Sequence, residues 1–313
     1  MKKIALLLFI IFSILSCKEY KNDTESEITN SITVEKSQNN LSSNCPPYLL
    51  KEKDNNLNIS IFLDLSDRIE EPTMIENDLA YLSSISKSFT NHIKTKKLVM
   101  LNDKMQLFFN PNPSDKKINE IAGKLKIHFT RDTPEKMINE TIKIYSTEPS
   151  GLYEIARLDA NENKKNYPGA DIWRFFKDDV KDYAIDDCYR NILIVITDGY
   201  MFYDKTVMKE GNRTSYLTPK SLAQLSLNKS NWKEIIETKN IGFIPALTEL
   251  NNLEVLVIGI NSLNDNNPYT LNIIETYWSK WFIEMGIAEE YFKIKNADIP
   301  SNMEKVINDF IKK

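Results

Sequence analysis

The chain has 313 residues and a formal net charge of −4, with 42% hydrophobic and 27% charged residues. That balance supplies an ordinary globular core, and an acidic chain without a basic stripe excludes nucleic acid as a partner. Only 8 glycines are present, with no GxGxxG or GxxxxGK[ST] string, which excludes the glycine-rich phosphate cradles.

Lys2-Lys3 make a basic start, Ile4 to Ile14 an apolar run, and Leu15-Ser16-Cys17 close it. The run is too short to span a bilayer comfortably and reads as an export signal. Its end, Ile14-Leu15-Ser16-Cys17, resembles the lipobox of bacterial lipoproteins. The resemblance implies a signal peptide over 1–16, acylation of Cys17 and a lipid anchor in the cell envelope. Lys18-Glu19 lack an Asp at the second mature position, which favours the outer membrane. Residues 17–44 are rich in Asn, Ser, Glu, Lys and Thr and read as a disordered tether. Cys45-Pro46-Pro47 opens a folded domain over 45–313. Cys45 and Cys188 either pair, as an envelope compartment permits, or remain two buried thiols. With His92 and His128 they show no zinc-ligand spacing.

Ile59 to Leu63 is apolar and β-branched, as a buried parallel strand is. Met74, Leu79, Leu82, Ile85 and Phe89 recur at helical spacing and predict a helix over 73–93. Lys97 to Leu101 and Met105 to Phe109, parted by Asn102-Asp103-Lys104, read as an antiparallel edge hairpin. Ser114 caps a predicted helix to about Leu125. Pro134 starts another, with Ile138, Ile142 and Tyr145 on its apolar face. A helix from Asp171 carries Ile172, Trp173, Phe175, Phe176 and Val180. Asp178-Asp179, Asp182 and Asp186-Asp187 are its solvated acidic side.

Ile192 to Ile196 is a central buried strand ending at Thr197-Asp198-Gly199. About 200–250 follows as an irregular insertion with Tyr200, Phe202, Tyr203, Tyr216 and Trp232. Leu253 to Ile260 is a further buried strand. A helix over 271–285 buries Trp278 and Trp281, 291–294 is a short edge strand, and 303–311 is an amphipathic helix. Alternating β and α elements predict an α/β fold: a doubly wound, mostly parallel sheet with helices on both faces.

Three segments carry the chemistry. The first strand ends at Asp64-Leu65-Ser66-Asp67-Arg68, the fourth at Thr197-Asp198-Gly199, and Gly169-Ala170-Asp171-Ile172 stands at a helix start between them. In open α/β sheets ligands bind at the carboxyl ends of strands, and hard cations take oxygen ligands. This order and spacing resembles the von Willebrand factor A fold of the integrin inserted-domain type. The resemblance runs over about 57–312 and implies a divalent cation, Mg²⁺ or Mn²⁺, whose shell is completed by a partner's carboxylate. Asp64 and Ser66 match the family's first two ligand positions and Asp198 its late Asp. Arg68 stands where a second Ser belongs, and Ala170 where a Thr does. Asp67 and Asp171 are extra carboxylates beside those gaps.

The resemblance implies a lipid-anchored envelope module, not an enzyme. It would present the loops 64–72, 167–172 and 198–205, with the insertion, to a protein partner. Tyr200, Phe202 and Tyr203 are a candidate rim or, as readily, a local packing cluster. Two other function classes stand beside it. One is a metal-dependent phosphohydrolase with Asp64 as nucleophile, although Ser66 occupies the place where haloacid dehalogenase-like enzymes want a second Asp. The other is a scaffold with a dead site, in which Arg68 pairs with Asp64 or Asp198 and replaces the metal.

Overall fold

The strands over 192–196 and 253–260 carry apolar residues on both faces, so both faces of the sheet must be covered. The computed structural model describes residues 45–113, 115–162, 169–262 and 266–313. The leader, Cys17, the tether and Ser114 lie outside the described residues.

The elements run α1 (Pro47–Leu50), β1 (Leu57–Leu63), α2 (Pro72–Thr95), β2 (Asn102–Phe108), α3 (Lys116–Lys124), β3 (Ile127–Thr130), α4 (Lys136–Thr147) and α5 (Pro149–Glu162). They continue with α6 (Ile172–Arg174), which passes into π-helical turns over Phe175–Ala184, then β4 (Arg190–Ile196), β5 (Lys209–Glu210), β6 (Arg213–Thr214), α7 (Pro219–Gln224), α8 (Trp232–Thr238) and β7 (Gly242–Phe243). The chain ends with β8 (Leu253–Ile260), α9 (Thr270–Glu284), β9 (Phe292–Asn296) and α10 (Pro300–Ile311). Among the described residues no helix is long and apolar enough to cross a membrane.

The main sheet has six strands in the order β3-β2-β1-β4-β8-β9. All pairs are parallel except β2–β3. The period-two alternation divides the apolar residues between two cores. Ile59, Ile61, Ile192, Ile194, Leu256 and Ile258 face α2, α4 and α10. Phe62, Leu193, Val195, Val255 and Val257 face the π-helical segment and α9. The fold is thus a mixed α/β sheet with helices on both sides, as its alternating elements predict.

Three local expectations are corrected. The antiparallel edge is not a hairpin over 97–109. Leu98–Met100 is a 3₁₀ turn, Asn102–Phe108 pairs in parallel with β1, and the antiparallel partner is β3, which arrives after α3. Asn102-Asp103-Lys104 opens a strand rather than a turn because Asp103 is buried. It accepts from the Leu57 N–H at 2.8 Å and from Lys96 Nζ at 2.7 Å. Burial would raise its pKa, but His92 and Lys96 hold it below the ordinary carboxylate value. The α3 cap is supplied by Asp115, which accepts from the Lys117 N–H.

The insertion is ordered rather than irregular. β5, β6 and β7 form a small separate sheet, and Thr218 and Ser221 make a capping box at α7. Leu217, Leu222, Trp232 and Phe243 are buried in the same cluster as Trp278 and Trp281, so the insertion supplies part of the cover of one sheet face. A disulfide joins Cys45 to Cys188, with 5.1 Å between their Cα atoms.

Candidate functional site

Connections from β1 run outward to β2, while those from β4 run the other way to β8. The carboxyl ends of β1 and β4 therefore flank the topological switch point, where a doubly wound sheet opens a crevice. Asp64 and Asp198 stand at those two ends, each only 2% exposed.

Asp64 is held on both oxygens. Oδ1 accepts from the Ser66 N–H at 2.9 Å, and Oδ2 accepts from the Thr197 hydroxyl at 2.8 Å. The second bond ties the two strand ends together across the switch point. Burial pushes the Asp64 carboxyl above its ordinary value, against the opposing pull of Ser66, Arg68 and Thr197. Asp198 closes its own loop by accepting from the Tyr200 N–H at 2.9 Å, and its carbonyl accepts from the Asn261 N–H at 2.9 Å. Both carboxylates thus act as turn-forming acceptors.

The third segment joins them through the backbone. Leu65 and Gly169 form an antiparallel bridge, and the Asp171 N–H donates to Asn110 O at 2.6 Å. Asp171 caps α6 by accepting from the Arg174 N–H at 3.0 Å. Burial raises its pKa. Ala170 is buried. The fold therefore brings together the three loops named from the sequence, with Ser66 half-buried among them. The Asp67 backbone opens a 3₁₀ turn, Asp67–Glu70, and its side chain lies outside the described residues.

Gly199 is needed between them. Its φ is +95°, and a Cβ there would lie 2.7 Å from both Ile260 Cδ1 and Ile274 Cγ2. Its carbonyl accepts from the indole N–H of Trp278 at 2.9 Å. Gly199→Ala should destabilise the protein by about 2–4 kcal/mol, the sum of backbone strain and overpacking. Urea unfolding measures it, and a loss under about 0.5 kcal/mol would show that the loop relaxes freely.

Arg68 does not pair with Asp64 or Asp198. Its guanidinium turns away under α2, where Nε donates to Asp78 Oδ2 at 3.2 Å and Nη2 donates to Asp78 Oδ1. Tyr153 donates to the same carboxylate at 2.9 Å. Burial works against the charged guanidinium, but Asp78 outweighs it and raises the Arg68 pKa, so the cation persists. Asp78 and Tyr153 are the residues that sequence reasoning missed, along with the bond from Thr197 to Asp64. Asp78 carried a signal: it falls on the Leu82, Ile85, Phe89 stripe, where a carboxylate must be buried and therefore paired.

The family resemblance implies a divalent cation here, and the donor set does not fit one. The hydroxyls expected at 68 and 170 are absent, which removes two of the oxygen donors that the resemblance implies. The Arg68 cation stands within electrostatic reach of Asp64. Among the described residues no group of three or more His, Cys, Asp or Glu is placed to hold a metal.

No protein-family model matches the chain, and no curated protein does. Solved structures do overlap with it. An aerotolerance-related membrane protein from Bacteroides fragilis is 13% identical, with a TM-score of 0.34 over 82% of this chain and 98% of its own. Proximal thread matrix protein 1 from the mussel byssus is 10% identical, with a TM-score of 0.34 over 83% of this chain and 46% of its own. The pilus adhesin SpaC from Lactobacillus rhamnosus GG is 12% identical, with a TM-score of 0.39 over 82% of this chain and 30% of its own. Overlaps this distant assign neither family nor function.

Proposed function

We propose that this chain is a lipid-anchored envelope protein whose von Willebrand factor A-like domain binds a protein partner through its carboxyl-edge loops, without catalysis and without a bound cation. The observation that carries this reading is the hydrogen-bond closure of the switch point. Asp64, Thr197 and Asp198 each make hydrogen bonds to the loops themselves. That leaves a preformed surface rather than a carboxylate poised to attack or to ligate. Phe202 stands out from it, 51% exposed and packed edge-on to Tyr216 at 6.2 Å between centroids. A rigid exposed aromatic of this kind suits an interface anchor.

Addition of Mg²⁺ or Mn²⁺ at 100 times a micromolar Kd would stabilise a true metal site by about 2.7 kcal/mol, several degrees in melting temperature. The expected outcome is a shift below about 1 °C. A larger shift that disappears in Asp64→Ala would restore the metal. Turnover of p-nitrophenyl phosphate lost in Asp64→Asn would instead make the protein a phosphohydrolase. For the partner, a photo-crosslinking amino acid at position 202 should give a discrete adduct in intact cells. The same group at Leu158, also exposed, should not. Equal labelling at both positions would remove the interface. Cys17→Ser should release the protein from membranes; its retention there would remove the anchor.

A further inference from the structure

The end of the domain opposite the carboxyl-edge loops carries an apolar surface of its own. Leu98, Val99 and Met100 are three consecutive large apolar residues in a 3₁₀ turn, 54%, 75% and 36% exposed. Tyr48 and Leu50 of α1 are 71% and 44% exposed, and α1 buries no residue. Single exposed apolar side chains are ordinary, but three consecutive ones in one turn mark an interaction surface.

Both segments lie at the amino ends of the strands. α1 leads into β1, and the 98–100 turn leads into β2. Hydrogen bonds lock the neighbourhood together: Lys96 Nζ donates to Asn55 O at 2.8 Å, and the Tyr189 hydroxyl donates to Asn102 Oδ1 at 2.7 Å. Cys45 is pinned to Cys188, just before β4. Cys45 is also where chain from Cys17 reaches the domain, with 27 residues between them. Whatever path those residues take, an acyl group on Cys17 is joined to the domain at this end and no other.

We infer that this amino-end surface, centred on Leu98, Val99 and Met100 with Tyr48 and Leu50, rests on the lipid bilayer. The inference depends on the anchor proposed above and adds an orientation to it: the carboxyl-edge loops point away from the membrane. Lys51, Lys94 and Lys97, close in sequence to the apolar residues, are exposed, as is Asp54. The mixed rim makes the contact an apolar one, with lysine stems free to snorkel to the headgroups. The contact should therefore persist at high salt, where a purely basic patch would let go.

The test uses the full acylated protein in phosphatidylethanolamine–phosphatidylglycerol vesicles. Val99→Cys supplies a free thiol, since Cys17 carries the acyl group and Cys45 is bonded to Cys188. An environment-sensitive fluorophore at 99 should shift to the blue and be quenched by doxyl-labelled lipid, in low and high salt alike. The same fluorophore at Phe202→Cys should stay in water. Adding Leu98→Ser and Met100→Ser should return the probe at 99 to water without changing flotation or melting temperature. Protein that floats with the vesicles while both probes remain wet would overturn the orientation and leave the anchor standing. Protein that does not float would overturn the anchor itself.

Discussion

Arg68→Ala should lower the unfolding free energy by about 3–5 kcal/mol at neutral pH. Arg68 is 2% exposed and Asp78 fully buried. Two buried charges gain little net energy from each other, because desolvation offsets most of their attraction. Removing one of them is another matter, since the survivor stays in the interior without its counter-ion. Here the survivor keeps only the Tyr153 hydroxyl, and Asp64 loses the favourable field of the nearby guanidinium as well.

The pH dependence follows with a definite sign. Burial pushes Asp78 above its ordinary value, and Arg68 is the main force opposing that rise. Without Arg68 the folded-state pKa climbs further above the unfolded value. A carboxyl in that condition destabilises the fold while ionised, and the penalty is relieved as pH falls through the raised pKa toward 3.8. The deficit of Arg68→Ala relative to the parent should therefore shrink on going from pH 7 to pH 5. Arg68→Met with Asp78→Leu should recover most of the loss, since an apolar pair of similar volume needs no solvation. Urea unfolding of the three variants at both pH values decides it. A single-variant loss below about 1 kcal/mol would mean that water reaches Asp78 and the pair is not dry.

The parts of the fold that were legible before the structure are those governed by periodicity. β4 and β8 are apolar on both faces and β1 on the face of Ile59, Ile61 and Leu63, so all three announce themselves as central strands, and the ends of β1 and β4 place Asp64 and Asp198 at the switch point. Asn102-Asp103 misled because turn residues and buried capping acceptors are the same residue types. Only the tertiary contacts with Leu57 and Lys96 distinguish them. The insertion was opaque because its strands are two residues long, too short for any period to show. At the site, residue types suggested a cation shell but did not show the bonds by which Asp64 ties the two strand ends, from the Ser66 N–H and the Thr197 hydroxyl. Arg68 was judged against the carboxylates near it in the motif, whereas its partner lies ten residues on along α2.

Breaking the Cys45–Cys188 bond should cost nearly as much as losing Arg68, for the opposite reason. The bond closes a loop of 143 residues. Loop-closure entropy alone assigns such a cross-link about 5 kcal/mol, and measured losses for native disulfides run at about 2–5 kcal/mol. Little of this arises from native contacts, because α1 has no buried residue. The effect falls mainly on the unfolded chain, which gains freedom when the link is cut. Reduction should therefore lower the urea midpoint by an amount matching Cys45→Ala with Cys188→Ala, while the near-ultraviolet spectrum of the aromatic core around Trp278 and Trp281 stays native. Proteolysis after reduction should first cut within 46–55, where only short turns precede β1. A midpoint indifferent to reductant would mean that the bond is absent from the folded protein. A native spectrum lost on reduction would mean that it holds the core itself, not merely the amino end of the domain.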